Sequence, residues 1–255
     1  KNFKNKSSLL AFGGAQYNGL SPLNNYNTSK EIKEGLLENA YNILYSNEQI
    51  KDIYKGLGYD RHIKIPETKN EVMNISKYFS SSQVLVGSDI SESKIKQMSD
   101  DKQLLDYDVL HFALHGLAIE ELPELSALVL SSDMDNDEDN FLRMSEIENL
   151  DINAKFVNLS ACDTGLGKNY SAEGMVRLAD AFIKAGANTI SMSLWQVDDS
   201  STSIFMDNLY RHAITDNMKY NKAMNKVKRA FINGEYGDKY TTPYYWAPFV
   251  IYGQN

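Results

Sequence analysis

The chain has 255 residues, enough for one α/β domain with a full core, and carries a formal net charge of −8. That balance argues against nucleic acid as the main partner and favours cationic ones. No apolar run reaches the ~20 residues of a membrane helix, no signal-peptide pattern opens the chain, and a lone cysteine can make neither an internal disulfide nor a cysteine-based zinc site. A soluble protein of a reducing compartment is therefore expected, and Lys1 in place of a methionine suggests a portion of something longer.

Residues 8–12 read as the first strand, closed by Gly13 and Gly14. A polar insertion at 18–59 shows helical spacing at Ile32, Leu36, Leu37, Ala40 and Leu44, which predicts a helical lid or hairpin over one edge. A short strand at 62–65 leads through Pro66 into a helix reaching Phe79, with Thr68 and Glu71 as its capping box. A strand at 83–86 follows, then a helix capped by Ser91 and ending about Met98, then a charged turn at 100–102.

The run 109–114 is a buried strand, 117–125 a loop bordering a cleft, and 128–130 another strand. The acidic stretch 133–140 lacks the spaced glycine and terminal glutamate of an EF-hand and reads as a solvated turn. Ser145 with Glu148 is expected to cap the next helix. After a strand at 156–159, helices at 172–184, 201–214 and 218–232 alternate with strands at 189–194 and 249–252, the first of these helices stopping at Gly186. This order predicts a single three-layer α/β/α sandwich on a mostly parallel central sheet of about six strands.

Two of these strands end abruptly in reactive side chains. The run 109–114 delivers His115 with Gly116 behind it, and the run 156–159 delivers Cys162. Ligands of open parallel sheets sit beyond the carboxyl ends of the strands, so neighbouring strands would bring imidazole and thiol to one rim. A free thiol near neutral pH is only about a few per cent thiolate, so a histidine beside it raises the reactive fraction and can protonate a leaving amine. The Gly116 and Cys162 amides are the candidate oxyanion donors. His111 faces the same way as His115 but lies mid-strand, which favours a core role for it and the base role for His115. The four histidines lack H-E-x-x-H spacing, and neither G-x-S-x-G nor a P-loop occurs, so no metal or nucleotide is called for.

An apolar strand ending in His-Gly, about 50 residues before an apolar strand ending in Ala-Cys, is the pattern of caspase-like cysteine peptidases. Ser-Ala-Cys-Asp-Thr-Gly departs from the caspase sequence and resembles the CHAT domain, a bacterial relative of caspases and separase. The matching pieces are HFALHG, LSALVLSS, NLSACDTGLG, AEGMVRLADAFIKAGA, SMSLWQVDD and YYWAPFVIYG, all of which fall within 107–253.

The resemblance implies a cytoplasmic thiol protease that needs no cofactor, acts on a protein or peptide substrate, and is regulated by a TPR-type N-terminal region or partner outside this chain. Nucleic acid and membrane play no part in that expectation. Through the separase-like Leu-Trp-x-Val-x-Asp pattern it also implies that Asp199 lines a pocket for a basic P1 side chain, with Trp195 as a wall. Each has a plainer reading: one of Asp198 and Asp199 is a helix N-cap, and Trp195 equally suits a core. Asp163 and Ser160 are assigned supporting roles, and Glu173 a structural one at its helix start. The alternative for the whole chain is a catalytically silent protein-interaction module on the same fold.

Overall fold

The structure, a computed structural model, is described for residues 7–17, 53–54, 65–119, 122–131, 138–160, 172–195 and 197–253. Nearly all of the 18–59 insertion, the strand expected at 62–65 apart from Ile65, and Cys162 with Asp163 lie outside the described residues.

The main sheet comprises β1 (Ser8–Gly13), β2 (Ser81–Val86), β3 (Val109–Ala113), β7 (Phe156–Leu159), β8 (Thr189–Ser193) and β9 (Phe249–Gly253), in the order β2-β1-β3-β7-β8-β9. The first five are parallel and β9 closes the edge antiparallel to β8. Side chains alternate between two buried layers. Leu10, Phe12, Leu110, Phe112, Val157 and Leu159 face one core, whereas Leu9, Ala11, Val109, Ala113 and Phe156 face the other. That double burial is why these strands read as unbroken apolar runs.

Helices α1 (Glu67–Ile75), α5 (Asp199–Tyr210) and α6 (Tyr220–Ile232) cover the second face through Val72, Phe205, Leu209, Val227 and Phe231. Helices α2 (Glu92–Asp100) and α4 (Ala172–Lys184) cover the first through Ile95, Met98, Leu178 and Phe182. The expected three-layer sandwich is present. Each fully buried Leu or Phe in it contributes roughly 1.5–3 kcal/mol relative to exposure.

A second sheet was legible only through its middle strand, expected at 128–130. Strands β4 (His115–Leu117), β5 (Ala127–Val129) and β6 (Phe141–Arg143) pair antiparallel in the order β4-β5-β6. Part of the expected 117–125 loop is thus strand, and three-residue strands are too short to show a period of two. Ile53 and Tyr54, the described residues of the insertion, are buried beside this sheet. Tyr54 stacks on Phe141 with centroids 3.8 Å apart and donates to the Leu125 carbonyl at 2.6 Å. Both residues are helical, and the rest of the insertion lies outside the described residues.

Of two expected capping boxes, one gives way to longer-range bonds and the other forms two residues earlier in the chain. Thr68 donates through Oγ1 to the Ile65 carbonyl at 2.7 Å and accepts from Gly14 N–H at 2.8 Å, while Glu71 is turned inward to His111. Helix α1 also ends at Ile75, followed by a 3₁₀ turn at Ser76–Tyr78. Ser145 lies inside α3 (Met144–Ile147), where the Glu146 carboxylate accepts from Arg143 N–H at 2.9 Å. The Ser91 cap forms as expected, accepting from Lys94 N–H at 3.2 Å. Helix α4 ends before Gly186 at φ +116°, where any Cβ would stand 2.0 Å from the Ile152 carbonyl oxygen.

Candidate active site at the carboxyl edge of the sheet

The carboxyl ends of β1, β3, β7 and β8 lie side by side, because these strands are parallel neighbours. From β1 the chain turns at Gly13 and Gly14. A Cβ on Gly13 would sit 2.5 Å from the Thr68 carbonyl oxygen, so only glycine lets α1 pack this closely. Tyr17 follows, 3% exposed.

His115 stands two residues beyond the end of β3, as the first residue of β4, and is 1% exposed. Its ring lies against Tyr17, centroids 4.6 Å apart and tilted by 43°. Its backbone N–H donates to the Tyr17 hydroxyl oxygen at 3.2 Å. Burial pushes the Tyr17 phenol well above its ordinary value, with the His115 amide pulling slightly the other way. The phenol therefore remains a neutral donor and acceptor. Gly116 sits in register with Leu128 of β5, inside a sheet that holds its backbone in place.

On the adjacent strand, β7 ends at Leu159, and Ser160 N–H continues the ladder to the Phe112 carbonyl at 2.9 Å. Ser160 is 9% exposed and its hydroxyl has no hydrogen-bond partner among the described residues. Cys162 is two positions further along the chain and outside the described residues.

From β8 the chain passes Trp195 into α5. Asp198 is the N-cap, its carboxylate accepting from Ser201 N–H at 3.1 Å, which leaves Asp199 without a capping duty. Asp199 is exposed. Its carboxyl is held above the usual range by partial desolvation first, then by the like charges of Glu67, Asp198 and Glu71. Trp195 is half-buried against the α1/α5/α6 core and donates through Nε1 to the Tyr244 carbonyl at 3.2 Å.

His111 is the core histidine that its mid-strand position suggested. It is fully buried, with Nε2 2.9 Å from a Glu71 oxygen and Nδ1 3.0 Å from the Tyr210 hydroxyl and 3.2 Å from Asn158 Nδ2. Glu71, Asn158 and Tyr210 were not anticipated in this role. An Asn inside the apolar run 156–159 was the one available signal.

Among the described residues, Glu92, Glu138 and Glu146 form a carboxylate cluster of metal-binding dimensions. Lys96 Nζ lies 2.8 to 2.9 Å from an oxygen of each and fills the cationic role itself. The residues of the acidic stretch that are described, Glu138 to Asn140, are thus not merely solvated. Asp139 pairs with Arg143, and Asn140 N–H donates to Glu92 at 2.9 Å. The rest of that stretch lies outside the described residues.

Among the described residues, no helix is long and apolar enough to cross a membrane. Among solved structures, the chain is similar to the Arg-specific cysteine proteinase gingipain R. Identity is 10% and the TM-score 0.49, with 99% of this chain and 49% of that chain covered, so the chain spans about half of its length. The pyridoxal kinase from Staphylococcus aureus in complex with AMP-PCP aligns at 11% identity and a TM-score of 0.34, covering 90% of this chain and 88% of the kinase. No curated protein sequence matches. The CHAT domain profile matches residues 57–254, a stretch that holds His115, Cys162, Trp195 and Asp199 together, and the chain belongs to the CHAT domain family.

Proposed function

We propose that the chain is a cysteine endopeptidase working through a His115–Cys162 dyad. The observation that carries this reading is the register of β3 and β7. His111 pairs with Asn158 and Phe112 with Leu159, and three residues beyond the latter pair on each strand come His115 and Cys162. Two in-register parallel strands would deliver imidazole and thiol to the same level of the rim, and two residues of chain beyond Ser160 span at most about 7 Å.

In the reaction, the Cys162 thiolate attacks the scissile carbonyl carbon and the Gly116 and Cys162 amides hold the oxyanion. Collapse of the tetrahedral species breaks the C–N bond as His115 gives its proton to the departing amine. His115 then takes a proton from water, whose hydroxide displaces the thiolate from the acyl-enzyme and releases the acid. Asp199, uncommitted to helix capping and facing outward, is the carboxylate for a basic P1 side chain, with Trp195 beside it.

The test is a peptide-library digest with the wild type and Cys162→Ala. Cleavage by the wild type alone supports the reading, and equal cleavage by both overturns it. Loss of cuts after Arg and Lys while other bonds are cut removes Asp199 from the pocket.

One observation favours a second reading. His115 is buried to 1% exposure, so the described conformation presents little imidazole to a substrate. A silent interaction module, or an enzyme opened by a TPR-type partner, would share that feature. A peptidyl electrophile that never labels Cys162, with or without the region upstream, would select the module.

A further inference from the structure

Between parallel strands with apolar side chains on both faces, a slip exposes no apolar face to water, so burial alone penalises it less than where one face is solvated. Leu110 and Phe112 on β3 and Val157 and Leu159 on β7 fill the same core, and a slip would exchange one apolar contact for another. A one-residue slip turns every side chain to the opposite layer, whereas a two-residue slip keeps all facings and shifts one strand by ~6.6 Å. That displacement is about twice the reach of a hydrogen bond between base and nucleophile. Something other than hydrophobicity has to choose the register.

Among the described residues, one buried side-chain bond joins these strands, besides the largely exposed Lys155–Asp108 ion pair at their start, 2.8 Å long. Asn158 Nδ2 lies 3.2 Å from His111 Nδ1, and the two residues are direct register partners, both 0% exposed. The rest of the surroundings fixes the ring. The Glu71 carboxylate only accepts, so in the neutral imidazole Nε2 carries the proton and donates to it at 2.9 Å. Nδ1 is left as an acceptor, its single lone pair shared between the Tyr210 O–H at 3.0 Å and the Asn158 N–H at 3.2 Å. Glu71 belongs to α1 and Tyr210 to α5, so the histidine is aimed from both helices that cover this face.

Such a buried polar group does little for net stability, since apolar residues of similar volume often serve as well. What it supplies is a penalty for every other pairing, because a slip of β7 leaves the buried Asn158 amide without its partner, at about 1–3 kcal/mol, while His111 keeps only Tyr210 at Nδ1.

We infer that Asn158 and His111 are positioning residues. Their bond locks β3 against β7 and thereby sets the relative height of His115 and Cys162, each four residues downstream of the clamp. The inference rests on the dyad reading. It predicts that the clamp governs the thiolate–imidazolium pair, not merely the melting temperature.

Cys162 is the only cysteine, so alkylation by iodoacetamide, followed by mass spectrometry across pH on the full chain, reports that thiol alone. The wild type should alkylate with a midpoint well below that of a free cysteine, and His115→Ala should remove the depression. Asn158→Leu should melt within a few degrees of the wild type, yet move its midpoint to that of His115→Ala. The rate near pH 7 should then fall about tenfold.

A second pair keeps the test sharp if Asn158→Leu fails to fold. Asn at position 111 places its amide where Nδ1 stood, and Gln places its amide where Nε2 stood. His111→Asn should therefore retain the low midpoint and His111→Gln lose it, although both forfeit stability. A wild-type profile indifferent to His115→Ala, or a thiol that does not react, overturns the dyad reading itself. A depressed midpoint that depends on His115 but survives Asn158→Leu or His111→Gln overturns the clamp and leaves the dyad standing.

Discussion

The Tyr17 hydroxyl lies between the two partner strands that hold His115, accepting from the His115 N–H at 3.2 Å and donating to the Val129 carbonyl at 3.2 Å. His115 and Val129 are register partners of β4 and β5, so a side chain arriving from the end of β1 bridges a rung of the second sheet. Tyr17→Phe keeps the ring contact and removes the bridge. The buried His115 amide loses this acceptor, at a cost of about 1–3 kcal/mol. A lower melting temperature with faster hydrogen exchange at the His115 amide is expected, and unchanged exchange there would count against the bridge.

Gly13→Ala tests how tightly α1 is seated on the rim. The added methyl would meet the Thr68 carbonyl oxygen at 2.5 Å, and backbone cannot swing aside as a flexible side chain does. Destabilisation of roughly 1–3 kcal/mol is expected from overpacking, read by urea denaturation. A neutral result would mean that α1 moves freely against β1.

The Lys96 cage makes a prediction about pH. Glu92, with its side chain fully buried, is pushed up to about 8 by burial first and by the charges of Glu146 and Asp139 after it. The unfolded chain releases this proton near the ordinary carboxylate value, while the folded chain keeps it until about pH 8. Folded protein thus binds more protons across that window, and stability falls as pH rises through it, by up to about 1.4 kcal/mol per pH unit. Glu146, held low chiefly by Arg143, has the opposite sign and acts at lower pH, where stability is lost as pH falls. Glu92→Gln should flatten the stability curve between pH 5 and 8. Parallel curves for variant and wild type would refute the assignment.

Ser191→Ala should be neutral or stabilising by up to ~1 kcal/mol. Ser191 is fully buried and, among the described residues, its hydroxyl has no hydrogen-bond partner, nor has the Oδ1 of its register partner Asn158. Removing a desolvated hydroxyl that bonds nothing relieves a cost. A loss above ~1 kcal/mol on thermal denaturation would show that the hydroxyl is bonded in solution, for instance by a buried water.

If Asp199 receives a basic P1 side chain, its raised carboxyl should show in the pH dependence of KM. The charge that attracts the substrate is lost as pH falls, and desolvation with the nearby Glu67 makes that loss begin at a higher pH than for an ordinary aspartate. KM for an Arg-P1 peptide should rise on acidification while that for a neutral-P1 peptide stays flat. Asp199→Asn should abolish the difference.

Helix α4, strands β3, β7 and β8 and the stop at Gly186 were legible in the chain because each rests on local chemistry: apolar periodicity, or a glycine where the backbone turns. Thr68 and Glu71 were misread for the converse reason. Their spacing is that of a capping box, but Gly14 and His111, distant in sequence, offered better partners.

His115, Gly116 and Cys162 could be proposed from sequence because a strand that ends in a reactive side chain followed by small residues is a local pattern. Only the tertiary structure decided that β3 and β7 are neighbours in a register pairing His111 with Asn158, that Tyr17 bridges His115 to Val129, and that Asp198 rather than Asp199 caps α5. Those outcomes depend on which buried donor meets which acceptor across strands and helices far apart in the chain, and no local pattern encodes that choice.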